Sequence, residues 1–597
     1  MLNPSTDRKN YGDLLVPPHG YKVDFAIGTT YSLDLEALTG VPISLSLSQE
    51  MDKGIMSNPI FLLEAIRKST DQFVLFCEAG QIKVPQKGNF LYTLMENNVF
   101  EVALPNEKSF HPKVWVIKYT NDEGKALYKM IVLSRNLTFD RSWDIVVSLE
   151  GERREEKSEV SASLIDFLSY LVPYATDRLK KEKMGQLIQE LAYVHFEDQG
   201  TNYKEIEFLP IGIKGHGKEE TGLFETYHDL IIFSPFLSRG TVDELDSLSL
   251  GEEAKKYLIT RRSELAKLHE SILEQFDVYV LKDLVIDGEF AISESNDDSE
   301  QLEISRRQDI HAKMYIRRKG GKVHFYLGSA NCSHNAFNGN IEFLLHFHYR
   351  KYGFKIEDLL KELFGEDDQD NPFERITELP ADMESVNDVK AKLEKAIKSL
   401  SRIPRKGNVR DMEQYYEVFL IFEDFPSDMN FSISPLFTGR MQPLLKETII
   451  SPLSLRELGE FYVVRASSGE EFVDRVIKIP IDGIPEERDK EVFQSIIKDK
   501  QTFLQYVSFL LADDYLYEAI EQLALRKKGM TAAHKESLID ENVVLYESML
   551  KAAAYAPEKL ADIHQVVSMI QNEEIIPADF EQLYQVFKDA LKKERHP

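Results

Sequence analysis

His111-Pro-Lys113 with Ser134-Arg-Asn136 and, 200 residues later, His311-Ala-Lys313 with Ser329-Ala-Asn331 are the stretches on which the reading of this chain turns. Each HxK leads into an apolar, strand-like run, Val114-Trp-Val-Ile117 or Met314-Tyr-Ile316. A turn through glycine follows, Asn121-Asp-Glu-Gly124 or Gly320-Gly321, and the return strands Tyr128–Leu133 and Lys322–Leu327 end on the Ser-x-Asn. The pattern predicts two equivalent hairpins, each aiming four polar side chains at one point. A duplicated histidine, cation and amide suits phosphodiester cleavage, because an imidazole attacks phosphorus while Lys and Asn hold the developing oxyanion charge.

Context gives the motif its weight. Among 14 histidines about one HxK arises by chance, and His216-Gly-Lys218 is such a copy: it lies in a charged, glycine-rich run with no Ser-x-Asn strand behind it and reads as a surface loop. The two other copies share more. Lys22–Ile27 running into Gly28–Asp34 has its counterpart in Asp229–Phe233 running into Ser234–Gly240, and Gln72–Phe76 is mirrored by Phe276–Leu281. Downstream, Trp143-Asp144 and Ile341-Glu342 each put a carboxylate at the head of an apolar strand. Such a carboxylate orients a catalytic imidazole or simply meets solvent, and the sequence leaves both readings open.

At these residues the chain resembles the phospholipase D superfamily, over roughly residues 10–360. The resemblance implies an α/β fold of two tandem βαβ sandwich repeats related by a pseudo-twofold and sharing one site. Family members usually carry an Asp after HxK and four further residues, where this chain has Lys118 and Arg318. That departure, with Gly328-Ser-Ala-Asn-Cys-Ser333 in the second copy, is similar to the nuclease-like branch that includes tyrosyl-DNA phosphodiesterases, rather than to lipid-acting members. The family mechanism then implies that one of His111 and His311 attacks phosphorus, with His111 favoured, while the other protonates the leaving oxygen. Lys113, Lys313, Asn136 and Asn331 would clamp the non-bridging oxygens, supported by Ser134, Ser329, Asp144 and Glu342. No metal or cofactor is expected. Bacterial relatives in defence or restriction systems suggest an ATPase or helicase partner.

Composition bounds the rest. A 597-residue chain with 43% hydrophobic and 29% charged residues is long enough for several cores and is no low-complexity protein. No apolar run approaches the roughly 20 residues that span a bilayer, and the opening Met1–Lys9 has no apolar h-region, so a cytoplasmic protein with no membrane partner is expected. The two cysteines, Cys77 and Cys332, exclude a disulfide framework and read as core or turn residues. No Walker loop, HExxH or CxxC pair occurs.

A net charge of −28 is unusual for a protein that binds DNA unaided. Lys113, Lys118, Arg141, Lys313, Arg317, Arg318, Lys319 and Lys322 gather around the motifs, predicting a positive mouth with Lys118, Arg141 and Arg318 as substrate contacts. The charge also suggests DNA delivered by another protein, and leaves an oligomer open.

The expected division is 1–200 and 201–365 for the two halves, 366–410 for an acidic linker and helix, 411–483 for a small β-rich module and 484–597 for a helical C-terminal domain. Ser158–Tyr193 reads as scaffold helices, and Tyr415–Phe422, Asn430–Ile433, Glu460–Arg465 and Phe472–Ile479 as strands of the module. Val492–Ile497, Phe503–Leu511 and Ile520–Leu525 read as helices. The leading reading is a metal-independent nuclease acting on nucleic acid, DNA foremost, in an antiviral setting; the competing ones are a phospholipase D-type lipid hydrolase and a catalytically silent scaffold.

Overall fold

The computed structural model describes residues 10–46, 59–139, 142–197, 203–251, 253–282, 309–349, 355–365, 371–380, 388–426, 429–511, 538–570 and 574–594. Two large mixed sheets hold the motifs. The first runs β7 (Val194–Glu197), β6 (Val146–Arg153), β5 (Ala126–Leu133), β4 (Val114–Asn121), β1 (Tyr21–Thr30), β2 (Phe73–Glu78), β3 (Val99–Val102). The second runs β8 (Tyr203–Ile211), β14 (Glu342–Tyr349), β13 (Lys322–Gly328), β12 (Met314–Lys319), β9 (Asp229–Phe233), β10 (Lys255–Ile259), β11 (Asp277–Leu281), β15 (Phe373–Arg375). In both, the HxK hairpin lies antiparallel to the first long strand, which is parallel to the next. The repeat is therefore one of topology as well as of motif.

One pairing read from the sequence is corrected by this order. Phe73–Glu78 lies directly beside β1, and the strand in that place in the second sheet is Lys255–Ile259, so Phe276–Leu281 corresponds instead to Val99–Val102. Lys255-Lys-Tyr-Leu-Ile259 opens on two lysines and carries a weaker apolar signature than its neighbour, which is why the pattern matched the wrong strand.

Strand alternation explains the packing. Residues Val114 and Val116 of β4, Ile27 of β1, Met314 and Ile316 of β12 and Phe233 of β9 enter one core shared by the two sheets, with Leu164, Phe167, Met184 and Leu187 of helices α1 (Ser161–Leu171) and α2 (Arg178–Leu191). Phe167 meets Phe343 of the second sheet at 5.0 Å. Each such fully buried apolar side chain stabilises the fold by roughly 1.5–3 kcal/mol, enough in sum to lock the halves face to face. Gly328, at φ +152, lets the end of β13 approach its neighbour, since a Cβ there would lie 2.2 Å from the Phe343 carbonyl oxygen.

The remainder is joined to the first half. Helix α3 (Asp388–Ser401) packs on the strands Phe461–Ser468 and Glu471–Lys478, and Val476 of the latter pairs with Ile82, continuing a sheet into residues that precede the first HxK. The strand Arg405–Asp411, assigned to the linker on sequence, pairs along its length with Tyr416–Phe422. The helices Glu487–Ile496, Lys500–Leu511, Leu538–Tyr555, Pro557–Ile570 and Ala578–Glu594 share a core with Leu62, Leu63 and Ile66 of the first half. The expected helix at Ile520–Leu525 and most of the acidic run after Gly365 lie outside the described residues. Among the described residues no helix is long and apolar enough to cross a membrane.

Candidate active site

The two motifs meet where the sheets abut. The segment before His111 runs beside Ile341: Ile341 N–H donates to Ser109 O and His111 N–H to Ile341 O, both at 2.9 Å. The segment before His311 does the same with the other half, pairing Asp309 and Ile310 with Ser142 and Trp143, and His311 N–H donates to Trp143 O at 2.9 Å. Each histidine is thereby carried to the strand-head carboxylate of the opposite half.

The carboxylates consequently serve the histidines crosswise. His111 Nδ1 lies 2.9 Å from Glu342 Oε2 and 3.1 Å from Ser329 O, while His311 Nδ1 lies 3.2 Å from Asp144 Oδ1. An ionised carboxylate only accepts, so Nδ1 of each ring carries the proton and Nε2 presents its lone pair. No Nε2 partner is found for either ring among the described residues. The motif serines clamp the same carboxylates: Ser329 Oγ donates to Glu342 Oε2, and Ser134 Oγ to Asp144 Oδ1 at 3.0 Å. Ser142 Oγ, not anticipated, donates to the other Asp144 oxygen, and Asn340 Nδ2 to Glu342 Oε1 at 3.3 Å.

Lys113 and Lys313 are buried, each donating to the carbonyl of the histidine two residues before it, at 2.8 and 2.7 Å. Burial lowers the Lys113 pKa to about 7 against the pull of Glu342 and Asp144, and holds Lys313 well below its ordinary value, helped by the charge of Lys113. Burial likewise brings His111 down to about 4, partly offset by Glu342 and reinforced by Lys113 and Lys313. His311 is depressed by burial and Lys313. Burial would raise Asp144, yet His311, Ser142 and Lys313 outweigh it and keep the carboxylate ionised. The arrangement gathers two buried lysines, two imidazoles whose Nε2 atoms have no partner among the described residues, and two fixed carboxylates, a set suited to an anionic substrate.

Asn136 and Asn331 end the motifs. Asn136 Oδ1 accepts Ser32 N–H at 3.4 Å, while Asn331 Oδ1 is buried without a partner among the described residues. Their turns are held alike, Leu137 N–H donating to Thr30 Oγ1 at 2.9 Å and Cys332 N–H to Ser234 Oγ at 2.8 Å. Thr30 and Ser234 were missed; both first strands reach a hydroxyl residue at the same register, which an alignment of the halves by topology reveals. Tyr31 was also missed. Its ring lies 4.9 Å from the His111 ring and 5.8 Å from Lys113 Nζ, and burial, then Glu78 and Glu394, raises the phenol to about 12, keeping it protonated.

The expected basic contacts do not join the site. Lys118 pairs with Asp24 at 2.8 Å and Glu190 at 2.9 Å, and Arg318 pairs with Asp229. Five residues of strand separate them from Lys113 and Lys313, about 16 Å at ~3.3 Å per residue, so these cations sit at the hairpin end of the sheet. Arg317 is buried against Glu225 and Thr226. Arg141 lies outside the described residues. His216 pairs with Asp166 and Lys218 with Glu244, away from the pocket. Cys77 and Cys332 are buried, and burial raises both thiols.

No family profile matches the sequence, and no curated protein matches it. Among solved structures, a variant of yeast tyrosyl-DNA phosphodiesterase 1 aligns over 57% of this chain and 85% of its own at 12% identity, with a TM-score of 0.35. The polyphosphate kinase of Porphyromonas gingivalis aligns over 65% of this chain and 50% of its own at 13% identity, with a TM-score of 0.31.

Proposed function

We propose that this chain is a phospholipase D-like phosphodiesterase that hydrolyses nucleic acid, DNA foremost, without a metal and through a phosphohistidine. The observation that carries the reading is the crosswise pair, His111 on Glu342 and His311 on Asp144, which turns each ring's Nδ1 to a carboxylate and leaves each Nε2 without a partner among the described residues. His311 takes a proton from solvent at Nε2 on substrate binding, the imidazolium being stabilised by the phosphate's negative charge; Nε2 of His111 then attacks phosphorus, the P–O bond to the leaving group breaks, and His311 gives that proton to the leaving oxygen. His311, now neutral, takes a proton from water as its oxygen displaces His111 from phosphorus. Lys113, Lys313, Asn136 and Asn331 hold the non-bridging oxygens throughout.

Residues 1–200 and 201–365 act as the two catalytic halves, and 366–410, 411–483 and 484–597 are accessory. The acidic balance, −28, favours DNA presented by a partner, and the family resemblance makes an ATPase of a cytoplasmic antiviral or restriction system the first candidate. The test is incubation of wild type and His311→Ala with single- and double-stranded DNA and RNA in excess EDTA. Cleavage by wild type alone supports the reading. Cleavage only of phospholipid vesicles would replace it with the lipid hydrolase, and no cleavage of any substrate, even with a co-purifying partner, with the silent scaffold.

A further inference from the structure

We propose that Lys398, carried on α3 outside both large sheets, is a positioning residue for His111. Its Nζ lies 2.6 Å from Glu78 Oε1 and donates to Ser109 Oγ at 2.5 Å. Glu78, at the end of β2 and 1% exposed, accepts Phe110 N–H on its other oxygen at 2.6 Å. The two residues immediately before His111 are thus both held by one ion pair. The same loop reaches the second half, since Ser109 N–H donates to Asn340 Oδ1 at 3.1 Å, and Asn340 in turn holds Glu342. Lys398 bears on the imidazole and on the carboxylate that orients it.

The second half provides the control. Thr30 and Ser234 hold equivalent registers, and on the adjacent parallel strands the equivalent residues are Glu78 and Arg261. Arg261 Nε donates to Ile310 O at 2.8 Å, so the residue before His311 is steadied from within its own half. In the first half the same position holds a carboxylate, and a carboxylate buried there needs a cation. Burial does raise the Glu78 pKa, and Lys398 is the largest influence opposing it. The cation comes from the C-terminal region, which makes α3 part of the His111 side of the site. Without it, Glu78 protonates or moves and Phe110 loses its acceptor.

The test compares Lys398→Met, Lys398→Arg and, as control on the same helix, Lys395→Met, which breaks the exposed pair that Lys395 makes with Glu107. Expected for Lys398→Met is a fall in kcat of about tenfold or more with KM within about twofold, largely regained in Lys398→Arg and absent in Lys395→Met. This kinetic arm rests on the phosphodiesterase reading; the second arm does not. The imidazole resonances of His111 and His311, assigned by single substitutions, should move for His111 and stay for His311 in Lys398→Met. Should that variant not fold, Lys398→Gln, which keeps a donor for Ser109 without the charge, is read by the same criteria. An unmoved His111, or both histidines moving together, overturns the proposal whether or not any substrate is cleaved.

Discussion

The half that carries His111 and the half that carries His311 share one strand order, to which the second sheet adds β15 at its edge, yet they hold their histidines differently. Glu342, the carboxylate of His111, is 0% exposed and clamped by Ser329 and Asn340; Asp144, the carboxylate of His311, has a side chain 14% exposed and is clamped by Ser134 and Ser142. His111 has Tyr31 against its ring, where the second half has Pro235 at the same register. The clamp before His111 is borrowed from α3, and that before His311 is internal. Duplication therefore supplies two copies of one chemical set with unequal supports, and under the proposed mechanism that inequality is what would fit the two histidines for distinct roles.

The largest effect should come from the histidines themselves. His111→Ala and His311→Ala are each expected to lower kcat/KM by at least about 10³-fold in steady-state cleavage assays with natural leaving groups. If only one of them is essential, the halves do not form a single site. Next come the carboxylates. Glu342→Gln and Asp144→Asn should each cost about 10–100-fold, and imidazole titrations should show the former acting on His111 and the latter on His311. Effects confined to the same half as the mutation would refute the crosswise arrangement.

The pH dependence sharpens the comparison further. Below about 4 His111 gains a proton and loses the lone pair that attacks, while Lys113 loses its charge as pH rises through about 7. With His311 also depressed, the state with one neutral and one protonated imidazole thins steadily above the histidine pKa values. A profile of kcat/KM, which reports the free enzyme, should thus peak on the acidic side of neutrality and fall on both flanks. A plateau extending into the alkaline range would contradict the burial of these groups. The smallest effect on activity belongs to Lys118→Ala and Arg318→Ala, expected to leave kcat/KM within about threefold because both cations are paired at the hairpin end of the sheet.

The motif residues were legible in the sequence because HxK and SxN sit at fixed offsets on strands whose apolar alternation is local. The crosswise pairing of Asp144 and Glu342 was not, since each carboxylate stands 167 or 231 residues from its histidine and no local pattern encodes that contact. Lys118 and Arg318 misled because nearness in sequence ignores which end of a strand a residue occupies. Arg405-Lys-Gly-Asn-Val-Arg-Asp411 escaped as a strand because its outward positions are charged or polar and only Gly407 is fully covered. Lys398 lies on an ordinary amphipathic helix, and nothing around it hints at Glu78, 320 residues earlier.

Capture of the covalent intermediate tests the two-histidine site most directly. His311→Ala, given an aryl phosphodiester whose leaving group needs no proton, should form an acid-labile adduct on His111 in excess chelator, found by rapid quench and peptide mass spectrometry, while His111→Ala forms none. An adduct on any other residue, or turnover that requires a divalent metal and leaves His111 unmodified, would contradict the account.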